Sequence, residues 1–412
     1  MVIALDKAIE AGKARYADLF KVRVYHEDPE LFFMLDFSND AIFLDPLLFA
    51  YYHYKADAHE QHWIQAGSQI GLRQILWGYV PAASRTEAVP VFTDANGLLY
   101  LPNFGYAQTT LPNRGLVLRW EASSQEFALW DGEQPVAASW QPLEWISDTQ
   151  IEVWQSNHLF LEDLFNTQEA PPDSVISGLP EVEVGAITAL KVDDLRSAFA
   201  ILRTHLPTYY AQVCAAGRSI LLFHNEIVRP FVSLSTLGVS FISTRPADSV
   251  VFYITEIVHQ FGHNILGWAM VEIEEYFRVN PSTLLREYNG NERDRRTVFS
   301  AFHGHYTTAV VAICLEALLQ KGVFAEQLRH ELVGRLSDNY RRFRTGLERT
   351  DLSTLLTEKG LSLYQQLDEA CMQVYTRQQS LVSLYDVSNQ GFIFSYPKFL
   401  QNNPLMDEGA LS

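Results

Sequence analysis

Residues Val250 to Leu266 read VVFYITEIVHQFGHNIL, and this stretch restricts the possible folds more than any other. Its apolar residues fall on all sides of a helical wheel, which requires a helix buried on most of its surface. Within it, His259 and His263 stand four residues apart. On a helix they share one face, with Cβ atoms about 5–6 Å apart. A buried polar group without a partner costs about 1–3 kcal/mol, so two imidazoles here need partners. One metal ion would satisfy both. The plain alternative is two histidines packed on an amphipathic helix. Glu256, three residues before His259, is either a carboxylate that orients an imidazole or a solvated side chain.

The five residues His259-Gln260-Phe261-Gly262-His263 match the metal-binding pattern HExxH except at its second position. A zinc peptidase needs the glutamate there as general base. Gln260 has nearly the same shape but takes no proton. The chain keeps the geometry that holds a metal and lacks the group that activates water at that position.

A third ligand has to come from elsewhere. Glu272, Glu274 and Glu275 follow His263, but a continuous helix would carry them more than about 13 Å away. A second long helix is expected from about Phe299 to Leu319, with His303 and His305 on it. Two residues apart, they point in nearly opposite directions. His303 shares an apolar stripe with Thr307, Val310, Cys314 and Leu318. His305 shares a more polar one with Ala309, Ala312 and Glu316. His303 is therefore expected to face inward and complete the metal set.

The rest of the chain suggests an α+β protein. Residues 1–170 read as a helical and antiparallel β region, and residues 175–412 as a mostly helical domain that carries the metal pair. Ala41 to Trp63 is dense in aromatic residues. Val89, Val91 and Phe92, Leu116 to Trp120, and Phe127 to Trp130 read as strands, with turns at Asp94–Gly97 and Asp131–Gly132. Five tryptophans, Trp120, Trp130, Trp140, Trp145 and Trp154, suggest aromatic cross-strand packing. Glu169 to Ser174, with two prolines, is the expected linker. Downstream, Ser219–Phe223 and Val239–Ile242 read as strands, and Asp248 as the cap of the motif helix. Gly322, Gly334, Gly346 and Gly360 are expected breaks between later helices.

The formal net charge of -18 over 412 residues argues against a nucleic-acid partner. Three scattered cysteines without a CxxC pair suggest a reducing compartment. With no signal peptide and no recognisable membrane span, a cytoplasmic protein is expected. The oligomeric state stays open. A second histidine group, His53, His59 and His62, lies near Asp57 and Glu60 on what reads as a solvated helix face. The chain has no phosphate-binding glycine loop and no GxSxG nucleophile elbow.

On HQFGHNIL (His259 to Leu266), the strand-like Val239 to Ser243, and an arginine seven residues before a His-Gly pair (Arg296 and His303-Gly304), the chain resembles a known family. This is the HExxH-motif putative peptide-modification family, encoded near ribosomally made peptide natural products. The resemblance spans roughly Ala198 to Leu363. It implies an iron(II)- and 2-oxoglutarate-dependent hydroxylase acting on a peptide β-carbon. Where the family has glutamate, this chain has Gln260. Such a site commonly uses two histidines and one carboxylate on iron, and His259, His263 and His303 would be a three-histidine variant. An arginine fork suits the distal carboxylate of 2-oxoglutarate. Arg296 is the first choice, with Arg295 and Arg293 as substitutes and Arg229 as a weaker one; the plain alternative for the cluster from Arg293 to Arg296 is a solvated loop paired with Glu292 and Asp294. Gln260 and Glu256 would act beside the metal. Two rival readings remain: a zinc-dependent hydrolase with Glu256 as displaced base, and an inactive peptide-binding protein.

Overall fold

A computed structural model describes residues 3–57, 70–158, 161, 164–165, 182–343, 351–391 and 393–405. The chain forms two compact units that interleave along the sequence. One comprises Glu10–Leu190 and Gly217–Arg245; the other comprises Met1–Ile9, Lys191–Ala216 and Pro246–Ser412. The expected linker at Glu169–Ser174 lies outside the described residues, as do His59, Glu60, His62 and Gly346. The α+β class is as expected, with antiparallel sheets in the N-terminal half and helices dominating the C-terminal half.

The first unit carries the β-structure. Strands β1 (Val89–Phe92), β4 (Gly115–Glu121), β5 (Glu126–Asp131) and β6 (Gln134–Val136) form one antiparallel sheet. Along β4, buried and more open residues alternate as the pleat requires, with Leu116 and Leu118 inward. Register places Trp120 opposite Phe127, and their rings meet edge to face at 5.0 Å. The Asp94 carboxylate accepts from the Asn96 and Leu98 amides, and Gly97 takes a φ of 75° that disfavours a side chain. Strands β2 (Leu98–Leu101), β3 (Gly105–Gln108) and β7 (Ser139–Pro142) make a second antiparallel sheet.

The third sheet explains the interleaving. Strand β10 (Ser219–Phe223) lies parallel to β9 (Glu152–Val153) and to β11 (Val239–Ser243), while β8 (Glu144–Trp145) runs antiparallel to β9. All five residues of β10 are buried, as expected for a strand with neighbours on both edges. Pairing with β9 draws residues 217–245 into the unit built by the N-terminal half.

The second unit is helical. Its motif helix, Val250–Ala269, begins one residue later than the sequence suggested. Ser249, not Asp248, is the cap, and its hydroxyl accepts from the Val251 and Phe252 amides. The His303 helix, Val298–Gln320, is capped by Thr297. By length and composition it could cross a membrane. Here it packs against the motif helix, the helix Glu326–Phe343 and the helix Glu358–Val382. Gly322, at a φ of 60°, follows its end, as expected. Gly334 breaks nothing: it sits inside Glu326–Phe343, where a Cβ would meet the Phe399 ring at 2.7 Å. Gly360 likewise lies within the helix Glu358–Val382.

Candidate metal centre

The motif helix buries Val251, Phe252, Ile254, Ile257, Val258, Phe261, Ile265 and Leu266, leaving His259 and His263 partly open. Gly262 sits between the two histidines at a close helix approach. A Cβ there would meet the Thr307 methyl at 3.2 Å, and the Tyr209 hydroxyl and a Val310 methyl at 3.5 Å. The Tyr209 hydroxyl donates to the Val258 carbonyl at 2.6 Å. This approach brings in His303, one turn before Thr307 on its own helix.

The three expected histidines do meet. Nε2 of His259 lies 3.3 Å from Nε2 of His263, and Nδ1 of His263 lies 3.4 Å from Nδ1 of His303. The His263 and His303 rings are nearly parallel, with centroids 5.7 Å apart, and Phe299 covers His303 at 4.0 Å. Burial pushes His259 down to about 4, with the Arg342 charge adding to the effect. It pushes His263 down to about 3 and His303 well below the ordinary range. All three are neutral at pH 7, the form in which imidazole binds a metal.

The spacing of the first pair suits a metal. At a metal–nitrogen distance of roughly 2.0–2.1 Å, two tetrahedral ligands stand about 3.3–3.4 Å apart. His303 is placed differently from the expectation of a third ligand. It meets the far nitrogen of His263, so one ion cannot take the Nε2 pair and the Nδ1 pair together. If His263 bound through Nε2, its Nδ1 would carry the proton and donate to His303. That leaves the proton of His303 on Nε2, a buried atom with no hydrogen-bond partner. Among the described residues, no three His, Cys, Asp or Glu side chains converge as a metal-holding group.

Gln260 is 3% exposed, and its amide Nε2 donates to Glu256 Oε2 at 3.1 Å. Its Oε1 is buried without a partner. Burial raises the Glu256 pKa, opposed by the Gln260 hydrogen bond and by Arg335 and Arg342. Glu256, His259, Gln260 and His263 thus share one stripe of the helix.

The remaining expected residues lie apart from this stripe. Arg296 donates through Nε and Nη2 to the two oxygens of Asp294, at 2.9 and 2.8 Å, so an internal carboxylate already fills its fork. Arg293 and Arg295 are exposed. Arg229 is exposed and belongs to the other unit. Glu274 and Glu275 are exposed beyond the helix end, and Glu275 pairs with Lys359 at 2.5 Å. His305 is not on a polar face: it is 5% exposed, stacked on Tyr364 at 4.0 Å and against Phe343 at 4.9 Å. The sequence reading assumed that one side of this helix faces solvent, but neighbouring helices cover the opposite side too.

Helices were expected in this region, but the sequence singled out none of the charged residues of the helix Glu326–Phe343. Its inward side buries Glu331, Arg335 and Asp338. Ser249 donates to Glu331 at 2.7 Å, and the Arg335 guanidinium lies 5.4 Å from the Phe252 ring centre. Asp338, 2% exposed, pairs with Arg341 at 2.8 Å and Arg342 at 2.6 Å. An aspartate three and four residues before two arginines is a common surface pattern, so only the packing marks this one.

No protein-family model matches the chain, and no curated protein is significantly similar to it.

Proposed function

We propose that the protein is an iron(II)- and 2-oxoglutarate-dependent oxygenase that hydroxylates a side-chain β-carbon of a ribosomally made peptide. The observation that carries this reading is the Nε2 pair of His259 and His263, spaced for one metal ion beside an amide instead of a general base. In this reading His259 and His263 hold the iron. His303 takes the Nδ1 proton of His263 in a hydrogen bond and fixes that ring's tautomer, as partners of metal-bound histidines commonly do. Bound iron would supply oxygen activation with 2-oxoglutarate as the electron source. Gln260 would hold Glu256 through its amide and offer the unpartnered Oε1 to a donor on the ligand. The resemblance to the HExxH-motif peptide-modification family supports the substrate class, a peptide processed inside the cell. Succinate formed with iron, 2-oxoglutarate and the cognate peptide, together with a 16-Da gain on that peptide, is the expected result. No succinate under those conditions would remove the reading.

A second reading has its own observation. Glu256 is a half-buried carboxylate whose pKa is raised, one turn from His259, and such a group suits a general base. It would make the protein a zinc-dependent hydrolase. Zinc-dependent cleavage that is lost in Glu256→Gln and indifferent to 2-oxoglutarate would establish it. If neither metal binds, the protein is a peptide-binding protein without chemistry at this site.

A further inference from the structure

The sheet of β1, β4, β5 and β6 has two unlike faces. Val89, Val91, Leu116, Leu118, Phe127 and Leu129 are buried, whereas Pro90 is exposed and Val117 and Trp130 stay partly open. On the open face, register sets Pro90 beside Val117, Val117 beside Trp130, and Trp130 beside the exposed Pro135. One apolar row thus crosses all four strands. It spans three strand spacings of about 4.8 Å, roughly 14 Å, the reach of about four or five extended residues. The solvated face of an antiparallel sheet is ordinarily polar, so a continuous apolar row there points to a partner.

Beside the row lies a hollow of about 550 Å³, within the size range of ligand sites. Tyr51, Arg73, Pro90, Val117 and Trp130 line it, with Glu27 and Asp28. Its charge is one-sided. The Arg73 guanidinium serves three carboxylates: Asp28 at 2.6 Å, Glu30 at 3.4 Å, and Glu87. That leaves two negative charges over. Glu27 is matched by Lys55 at 2.6 Å, and Asp131 by Arg114 at 2.8 Å. At the Trp130 end the Arg119 guanidinium lies 4.6 Å from the ring centre and offsets at most one of the two. The Glu30 side chain is 76% exposed, so an incoming cation can reach it. Pro90 and Pro135 stand on the two outer strands and lack an N–H, so neither edge suits the addition of a strand. A partner gains instead from side chains laid across the row.

We infer that this row and hollow bind a partner peptide of about four or five extended residues, with apolar side chains on Pro90, Val117 and Trp130 and a lysine or arginine among Asp28, Glu30 and Glu87. A second copy of the chain fits poorly, since two molecules of net charge -18 repel each other. The inference stands apart from the metal reading, because every residue in it belongs to the sheet-bearing unit.

The test is fluorescence anisotropy of the full chain with a dye-labelled hexapeptide of alternating lysine and leucine. Hexalysine and a hexapeptide of alternating glutamate and leucine are the controls. Wild type should bind the lysine–leucine peptide at least about tenfold more tightly than either control. Trp130→Ala should weaken that binding about tenfold, and the charge reversal Glu30→Lys about fivefold. Pro90→Ser, at an exposed position, should weaken it about threefold, and it decides the case if circular dichroism shows Trp130→Ala misfolded. Unchanged binding in folded Trp130→Ala, or in Pro90→Ser where Trp130→Ala misfolds, overturns the inference. Hexalysine bound as tightly as the lysine–leucine peptide, or no binding by wild type, does the same. A dimer in sedimentation velocity that Trp130→Ala dissolves would give the row to a second copy and also overturn it.

Discussion

Each unit of the protein buries a polar cluster, and the two are finished differently. In the sheet-bearing unit, Glu152 is 5% exposed and receives the Tyr100 hydroxyl at 2.8 Å. Asp45, also 5% exposed, receives the Tyr79 hydroxyl at 2.6 Å and the Leu47 amide at 2.8 Å. These acids carry partners supplied by the fold itself. In the helical unit, Gln260 Oε1, His303 Nε2 and both nitrogens of His305 are buried without any. Each such atom costs about 1–3 kcal/mol. A cluster whose groups are all matched holds a fold together, whereas one with open donors and acceptors suits an incoming ligand. The sheet-bearing unit also buries polar atoms without partners, among them Tyr52 Oη, Trp77 Nε1, Thr236 Oγ1, Asn157 Oδ1 and the ring nitrogen Nε2 of His158. That ring lines a cavity of about 30 Å³, stacked on Tyr100 at 4.2 Å and edge-on to Trp154 at 4.4 Å. The space fits one or two waters.

The largest effect that would separate the clusters is loss of metal. His259→Ala combined with His263→Ala should lower iron or zinc affinity by more than roughly a hundredfold, measured by competition with a chelating dye. Circular dichroism should show the fold kept. Unchanged affinity would make the pair ordinary core histidines. Next in size, His303→Phe should weaken metal binding by about tenfold to a hundredfold, because Nδ1 of His263 loses its acceptor. His158→Phe, in the other cluster, should leave metal affinity unchanged. A direct-ligand role for His303 would show instead as a loss as large as that of the paired variant.

The acid cluster gives a test with a defined sign. Burial pushes Glu152 up to about 8, helped by the nearby Asp45 charge and opposed by the Tyr100 hydrogen bond and Arg218. Folding therefore favours its protonated form. Its contribution to stability is fully present below the ordinary carboxylate pKa of about 4.5 and is lost as pH rises to about 8. Glu152→Gln should flatten that part of the melting-temperature profile. A profile equally steep in the variant would mean that Glu152 is ionised in the fold. Smallest is Gly262→Ala. Overpacking costs about 1–3 kcal/mol and the gain in helix propensity is about 1 kcal/mol, so a net loss of about 1 kcal/mol is expected in denaturant melts. Thr307 is fully buried and cannot easily retreat. A stabilised variant would show that the helix contact is loose.

Much of this was legible in the chain because the signals are local. The apolar run around His259 and His263 specifies a buried helix, and alternation at Leu116–Trp120 specifies a strand. The pairing of His303 with the motif helix also followed from its apolar stripe. Two things were not legible. The burial of His305 depends on Phe343 and Tyr364, which arrive from distant helices. Likewise, Asp338 with Arg341 and Arg342 looks like any charged helix surface until neighbouring helices bury Asp338. For Arg296 the sequence offered two outcomes, a fork open to a ligand or a pair with Asp294, and the structure shows the pair; sequence spacing alone does not show which carboxylate closes a fork.

The most direct test of the central claim is visible absorption of the metal-free protein, titrated without oxygen first with iron(II) and then with 2-oxoglutarate. The account predicts a new metal-to-ligand charge-transfer band that is absent in His263→Ala. Tight zinc binding with no band in wild type would contradict it in favour of a hydrolase, and no metal binding at all would leave a peptide-binding protein.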